Sequence, residues 1–215
     1  MNRSTRTRSE IQPDRRRPSE VARHVVLPAD IRTTGWPRVE AQARACGIEY
    51  DGWQRQLGRC ILGKTSDGVY AAGIGGVVVS ICRQVGKTFL IGTMIVMLCI
   101  LNEYPLKVLW TAHRTRTSDE TFKFMCALVR RKAISRFVDG EPRRANGQQE
   151  IVFVNSSRIM FGARENGFGR GFDSVDVEVF DEAQTLRERA LDDMIPATNA
   201  APNPLIIYTV SYTHL

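Results

Sequence analysis

Residues 77–90 read VVVSICRQVGKTFL. The largely apolar, β-branched run VVVSI at 77–81 predicts a strand buried on both faces. The apolar stretch FLIGTMIVMLCIL at 89–101 predicts a buried helix; its 13 residues fall short of the roughly 20 that a membrane span needs. Between them lies a loop ending in Gly86-Lys87-Thr88. Strand, loop and helix in this order are the setting of a phosphate-binding loop. Such a loop lays backbone N–H groups around phosphates, and the helix N-terminus adds partial positive charge. Gly86 lets the backbone approach the ligand, Lys87 reaches the outer phosphates as a point charge, and Thr88 offers a hydroxyl to Mg²⁺. The usual spelling is G-x-x-x-x-G-K-[ST]. Here Ile81 stands where the opening glycine belongs, and Arg83 and Gln84 lie inside the loop.

Gly-Lys-Thr alone is a weak signal. A second segment, VEVFDEA at 177–183, puts Asp181 and Glu182 at the end of an apolar strand. In a parallel sheet that end is the ligand-binding rim. Asp181 is then placed for the Mg²⁺ shell and Glu182 for a general base that polarises water. Two adjacent acids can equally cap the next helix. The two segments together, in order and each after an apolar strand, predict nucleotide hydrolysis.

Further predicted elements are helices at 39–45 and 51–62, a strand at 106–112 and a helix at 118–133. A hairpin of 149–155 with 157–163 turns at Ser156–Ser157 and leads to a glycine-rich loop at 165–173. A strand at 175–183, a helix at 185–195 and a strand at 203–210 complete the chain. The alternation predicts an α/β fold with a mostly parallel sheet flanked by helices.

The net charge of +7 is unevenly placed: residues 1–23 hold seven arginines against three acids. So polar a segment buries too little apolar surface to offset the entropy of ordering, so residues 1–24 are expected to be a disordered arm. It is either a solvated tail or a contact for nucleic acid or a partner. The remainder carries 23 basic and 20 acidic residues, with no basic stripe interleaved by aromatics; Arg130-Arg131-Lys132 and Arg143-Arg144 are the candidate phosphate contacts. Five cysteines without a C-x-x-C pair give no metal-ligand spacing and point to a reducing compartment. His113 follows a strand with no metal partner in view, and Trp53 and Trp110 are expected in the core.

CRQVGKT at 82–88 resembles the phosphate loop of the large terminase subunit, the ATP-driven DNA-packaging motor of tailed bacteriophages. Loops of that family commonly read Arg-Gln-x-Gly-Lys-Thr/Ser without the first glycine. DGWQRQL at 51–57 resembles its adenine-recognition segment, and VLWTAHRTRTSDETFKFM at 108–125 the segment after the loop helix. SSRIMFGARENGFGRGFDSVDVEVFDEAQTL at 156–186 resembles its run from hairpin to acidic strand, and PATNAAPNPLIIYT at 196–209 its approach to the coupling motif.

The resemblance implies a P-loop NTPase domain over 25–209, incomplete at the C-terminus, in which ATP hydrolysis drives double-stranded DNA into a procapsid. It implies ATP and Mg²⁺ as cofactors. Glu182, Arg83 and Lys87 would be catalytic, Gln54, Gly86, Lys87 and Thr88 would bind nucleotide, and Thr88 and Asp181 would hold the metal. Arg83 would act as a finger from within the loop, the alternative being a brace paired with a nearby acid; for Gln54 the alternative is a surface helix residue. Implied partners are double-stranded DNA, a portal protein and a small terminase subunit. The full-length protein would form a homo-oligomeric ring in the host cytoplasm, away from membranes. A helicase-like ATPase is the alternative, because Asp-Glu-Ala-Gln resembles that superfamily's acidic motif; a nucleotide-binding module without turnover is another.

The family's coupling motif usually continues with small residues and often proline. This chain continues VSYTHL at 210–215, whose codons can read GTC TCT TAT ACA CAT CTN, similar to a transposon-end adapter used in sequencing libraries. Those six residues are expected to be foreign. Without the segments that follow in the family, no nuclease activity is expected, and an open sheet edge is expected to favour aggregation.

Overall fold

A computed structural model describes residues 22–145, 149–168 and 171–212. The arm expected over 1–24 lies almost wholly outside the described residues. Two short strands, Thr33–Thr34 (β1) and Gly63–Lys64 (β2), pair antiparallel beside helices Trp36–Ala45 (α1) and Gly52–Ile61 (α2). The main sheet comprises Val77–Cys82 (β3), Lys107–Ala112 (β4), Gln149–Val152 (β5), Arg158–Ala163 (β6), Val177–Phe180 (β7) and Leu205–Tyr212 (β8), in the order β3-β8-β7-β4-β6-β5. Every neighbouring pair is parallel except β5 with β6. The predicted α/β fold and mostly parallel sheet are therefore observed.

Alternation along the strands splits the core in two. Val108, Trp110, Val177, Val179, Leu205 and Ile207 face one cluster; Leu109, Phe180 and Ile206 face the other. Helix Lys87–Leu101 (α3) lies in the first cluster with ten buried residues, which explains why it is apolar all round. Fully burying one such side chain contributes about 1.5–3 kcal/mol. The Tyr50 hydroxyl donates to Thr93 Oγ1 at 2.9 Å and ties the preceding segment to α3. The second cluster packs under Phe168, Phe172 and helix Glu188–Met194 (α6).

Three boundaries differ from the sequence reading. β3 is an edge strand, not one covered on both faces: Val78 is 66% exposed, because no β3 residue joins the second cluster. Helix Thr115–Val129 (α4) begins three residues before Ser118, where Glu165 Oε1 accepts bonds from Thr115 N at 2.7 Å and Thr115 Oγ1 at 2.8 Å. β8 runs on to Tyr212, past the predicted end at 210, and pairs Ser80, Ile81 and Cys82 with Val210, Ser211 and Tyr212. A short helix, Lys132–Ser135 (α5), follows α4. None of the five cysteines forms a disulfide. Among the described residues no helix is long and apolar enough to cross a membrane.

Candidate nucleotide site

The missing glycine has a structural account. Ile81 is still inside β3, paired with Ser211, so its backbone is extended and needs no glycine. The left-handed backbone falls later, at Gln84 (φ 61°) and Gly86 (φ 92°). Gly86 caps α3, and a Cβ there would sit 3.0 Å from Gln54 Nε2. Left-handed geometry and close packing both favour glycine at this position.

The turn opens onto a cavity of about 500 Å³ at the carboxyl ends of the parallel strands, where ligands of such sheets bind. Arg83, Gly86, Lys87, Thr88, Asp181 and Glu182 all line it. Lys87 is buried. Its ammonium donates to the Val210 carbonyl at 2.7 Å and to the Ser211 hydroxyl. Burial pulls the Lys87 pKa down; Asp181 and Glu182 oppose that, and Arg83 adds to it. A cation that costs this much to desolvate is strengthened as a partner for anions by the same low dielectric. Arg83 itself is exposed at the cavity mouth.

Asp181 Oδ1 accepts from Thr209 Oγ1 at 2.5 Å and from Glu182 N at 3.0 Å. Glu182 follows β7 in left-handed conformation, φ 53° and ψ 47°. Thr117 Oγ1, on α4, donates to its carboxylate at 3.3 Å. Among the described residues no cluster of three or more His, Cys, Asp or Glu could hold a metal. Mg²⁺ commonly takes one or two protein oxygens and completes its shell with water and phosphates. The hard oxygens of Thr88 and Asp181 on one cavity fit that habit.

Gln54 stands apart from the cavity wall. It is buried, and Oε1 accepts from Asp51 N at 2.9 Å as half of a capping box at the start of α2. Nε2 donates to the Gly86 carbonyl at 3.4 Å. The amide therefore braces the turn. It is not the surface helix residue of the alternative reading. Trp110 is buried and stacks on Phe161 with ring centroids 6.3 Å apart, and the His113 carbonyl accepts from Glu165 N at 3.3 Å. Arg130, in one of the exposed charge runs, pairs with Glu141 at 2.6 Å. Thr117, Arg164 and Ser211 also neighbour the site and carry no local signal in the sequence, because distant strands and helices bring them there.

The fold is that of the large-terminase ATPase domains. The structure is similar to the HK97 bacteriophage large terminase, with a TM-score of 0.66 and 18% identity over 82% of this chain. It is similar to the Thermus phage P74-26 large terminase ATPase domain, with a TM-score of 0.60 and 13% identity, covering 89% of this chain and 72% of that one. A third likeness is to the large terminase of a thermophilic bacteriophage in complex with ADP, with a TM-score of 0.50 and 14% identity over 63% of this chain and 33% of that one. This chain spans 38% of the HK97 protein. No protein-family model matches the sequence, and no curated protein matches it.

Proposed function

We propose that this chain is the ATPase part of a large terminase, hydrolysing ATP to move double-stranded DNA into a procapsid. The observation that carries the reading is the meeting of Lys87 with Asp181 and Glu182 on one cavity at the carboxyl rim of a parallel sheet. The fold likeness to large-terminase ATPase domains supports it. Double-stranded DNA, a portal protein, a small terminase subunit and a ring of copies belong to the same reading.

The backbone of 83–86 cradles the phosphates, and Lys87 exchanges its Val210 and Ser211 partners for phosphate oxygens. Thr88 and Asp181 would hold Mg²⁺, which would neutralise charge on the phosphates. Glu182 takes the proton of the attacking water. Arg83, at the mouth, swings onto the phosphates as charge develops.

The test is phosphate release from Mg-ATP by the full chain and by Glu182→Gln. Loss of a general base is expected to lower turnover about 10²–10⁴-fold while ATP binding persists. Arg83→Ala is expected to lower turnover by about 10³-fold. Equal background rates in wild type and Glu182→Gln would leave a binding module without turnover.

A further inference from the structure

We propose that Arg164 is a positioning residue for the acid pair: one half-buried guanidinium that locks the Asp181–Glu182 turn by bridging the ends of β6, β4 and β7. This rests on the hydrolysis reading.

Arg164 directly follows β6, and β4 separates β6 from β7. Its Nη1 donates to the Thr111 carbonyl at 2.9 Å and to Thr111 Oγ1 at 3.0 Å, at the end of β4. Its Nη2 donates to the Asp181 carbonyl at 2.9 Å, just past β7. A planar fork with fixed donor directions suits this three-strand reach; an ammonium is a single point with rotating donors. The cation also lies over the Phe180 ring, 5.9 Å from its centroid.

The bonded carbonyl belongs to the peptide that enters Glu182. Glu182 has positive φ without being glycine, and such a conformation persists where its surroundings over-determine it. Here the turn is held at successive points. Asp181 N donates to the Thr111 carbonyl at 2.7 Å, and Glu182 N donates to Asp181 Oδ1 at 3.0 Å. Thr185 N and Oγ1 donate to the Glu182 carbonyl at 3.0 and 2.7 Å. The Asp181 carbonyl is the remaining point, and Arg164 takes it. The Thr111 carbonyl accepts both the Asp181 N–H and the guanidinium, so Arg164 and the turn share one anchor. Without that hold, the Glu182 backbone is free to relax toward negative φ. Its carboxylate would then swing away from Thr117 and the water position.

Arg164→Lys keeps the charge and loses the fork. Steady-state phosphate release is expected to show kcat lowered about 10–100-fold, the scale of a small misplacement of a reacting group. KM for ATP is expected to stay within about threefold, since ground-state binding is untouched. In a Glu182→Gln background the same change is expected to lower the residual rate by a smaller factor than in wild type, because one of the two positioned groups is gone. Thr111→Val preserves side-chain shape and removes one of three acceptors; it is expected to lower kcat about threefold and decides the matter if Arg164→Lys does not fold. Wild-type kcat in both single variants would overturn the assignment and leave hydrolysis standing. So would a raised KM with unchanged kcat. Phosphate release by wild type no faster than by Glu182→Gln would sink the hydrolysis reading and the assignment with it.

Discussion

Glu178 offers a quantitative probe of the sheet beneath the site. It stands in the middle of β7, registered between Leu109 and Ile206, and is 0% exposed. Among the described residues, neither carboxylate oxygen has a hydrogen-bond partner. Burial raises its pKa to about 7 from 4.5, with Arg164 pulling the other way. Between pH 4.5 and 7 the folded chain therefore keeps a proton that the unfolded chain has given up, so stability falls as pH rises through this window. A shift of this size corresponds to about 3 kcal/mol between the two limits. Glu178→Leu puts an apolar side chain against Leu109 and Ile206 and removes the titration. Relative to wild type, the variant is expected to gain about 3 kcal/mol of stability between pH 4.5 and pH 8.5. Urea unfolding followed by tryptophan fluorescence at several pH values measures the difference directly. A stability difference that is flat with pH, or that grows toward acid, would refute the account of Glu178 as a neutral acid held without partners.

Two more outcomes follow from single contacts. Thr209→Val removes the hydroxyl that donates to Asp181 Oδ1 at 2.5 Å; hydrogen bonds to charged groups contribute about 1.5–3 kcal/mol, so a loss of that size is expected in urea unfolding at neutral pH. Val78→Lys on the exposed edge β3 is expected to leave unfolding stability within about 0.5 kcal/mol while reducing light scattering on concentration, since lysine blunts edge-to-edge pairing.

How much of this could be read from the chain depends on how far apart the cooperating residues lie. Lys87 and Thr88 follow their strand within a few residues, as do Asp181 and Glu182 (β3 and β7), so local pattern finds them. The three valines at 77–79 look the same whether a strand is central or at an edge; Ser80, two residues on from Val78 and exposed like it, is the one local sign of an open face, and the second layer, built from residues far along the chain, leaves that face uncovered. Gln54 carried a legible signal of another kind: Asp51 three residues before it spells a capping box, and the structure uses the amide for that cap and for the Gly86 carbonyl.

Thr209 and Arg164 were hidden for the same physical reason. Their partners are fixed by sheet register. Phe180 lies opposite Tyr208 across β7 and β8, so the next residues, Asp181 and Thr209, arrive side by side. Thr111 and Phe180 are likewise opposite across β4 and β7, which sets the span that Arg164 bridges. The loop without its first glycine follows from where its strand ends. β3 continues through Cys82, and the turn begins at Arg83. A turn compressed into the residues between Cys82 and Lys87 has room for two left-handed positions, Gln84 and Gly86. The arginine within the loop thus stands at the point where the chain leaves the sheet, at the mouth of the cavity.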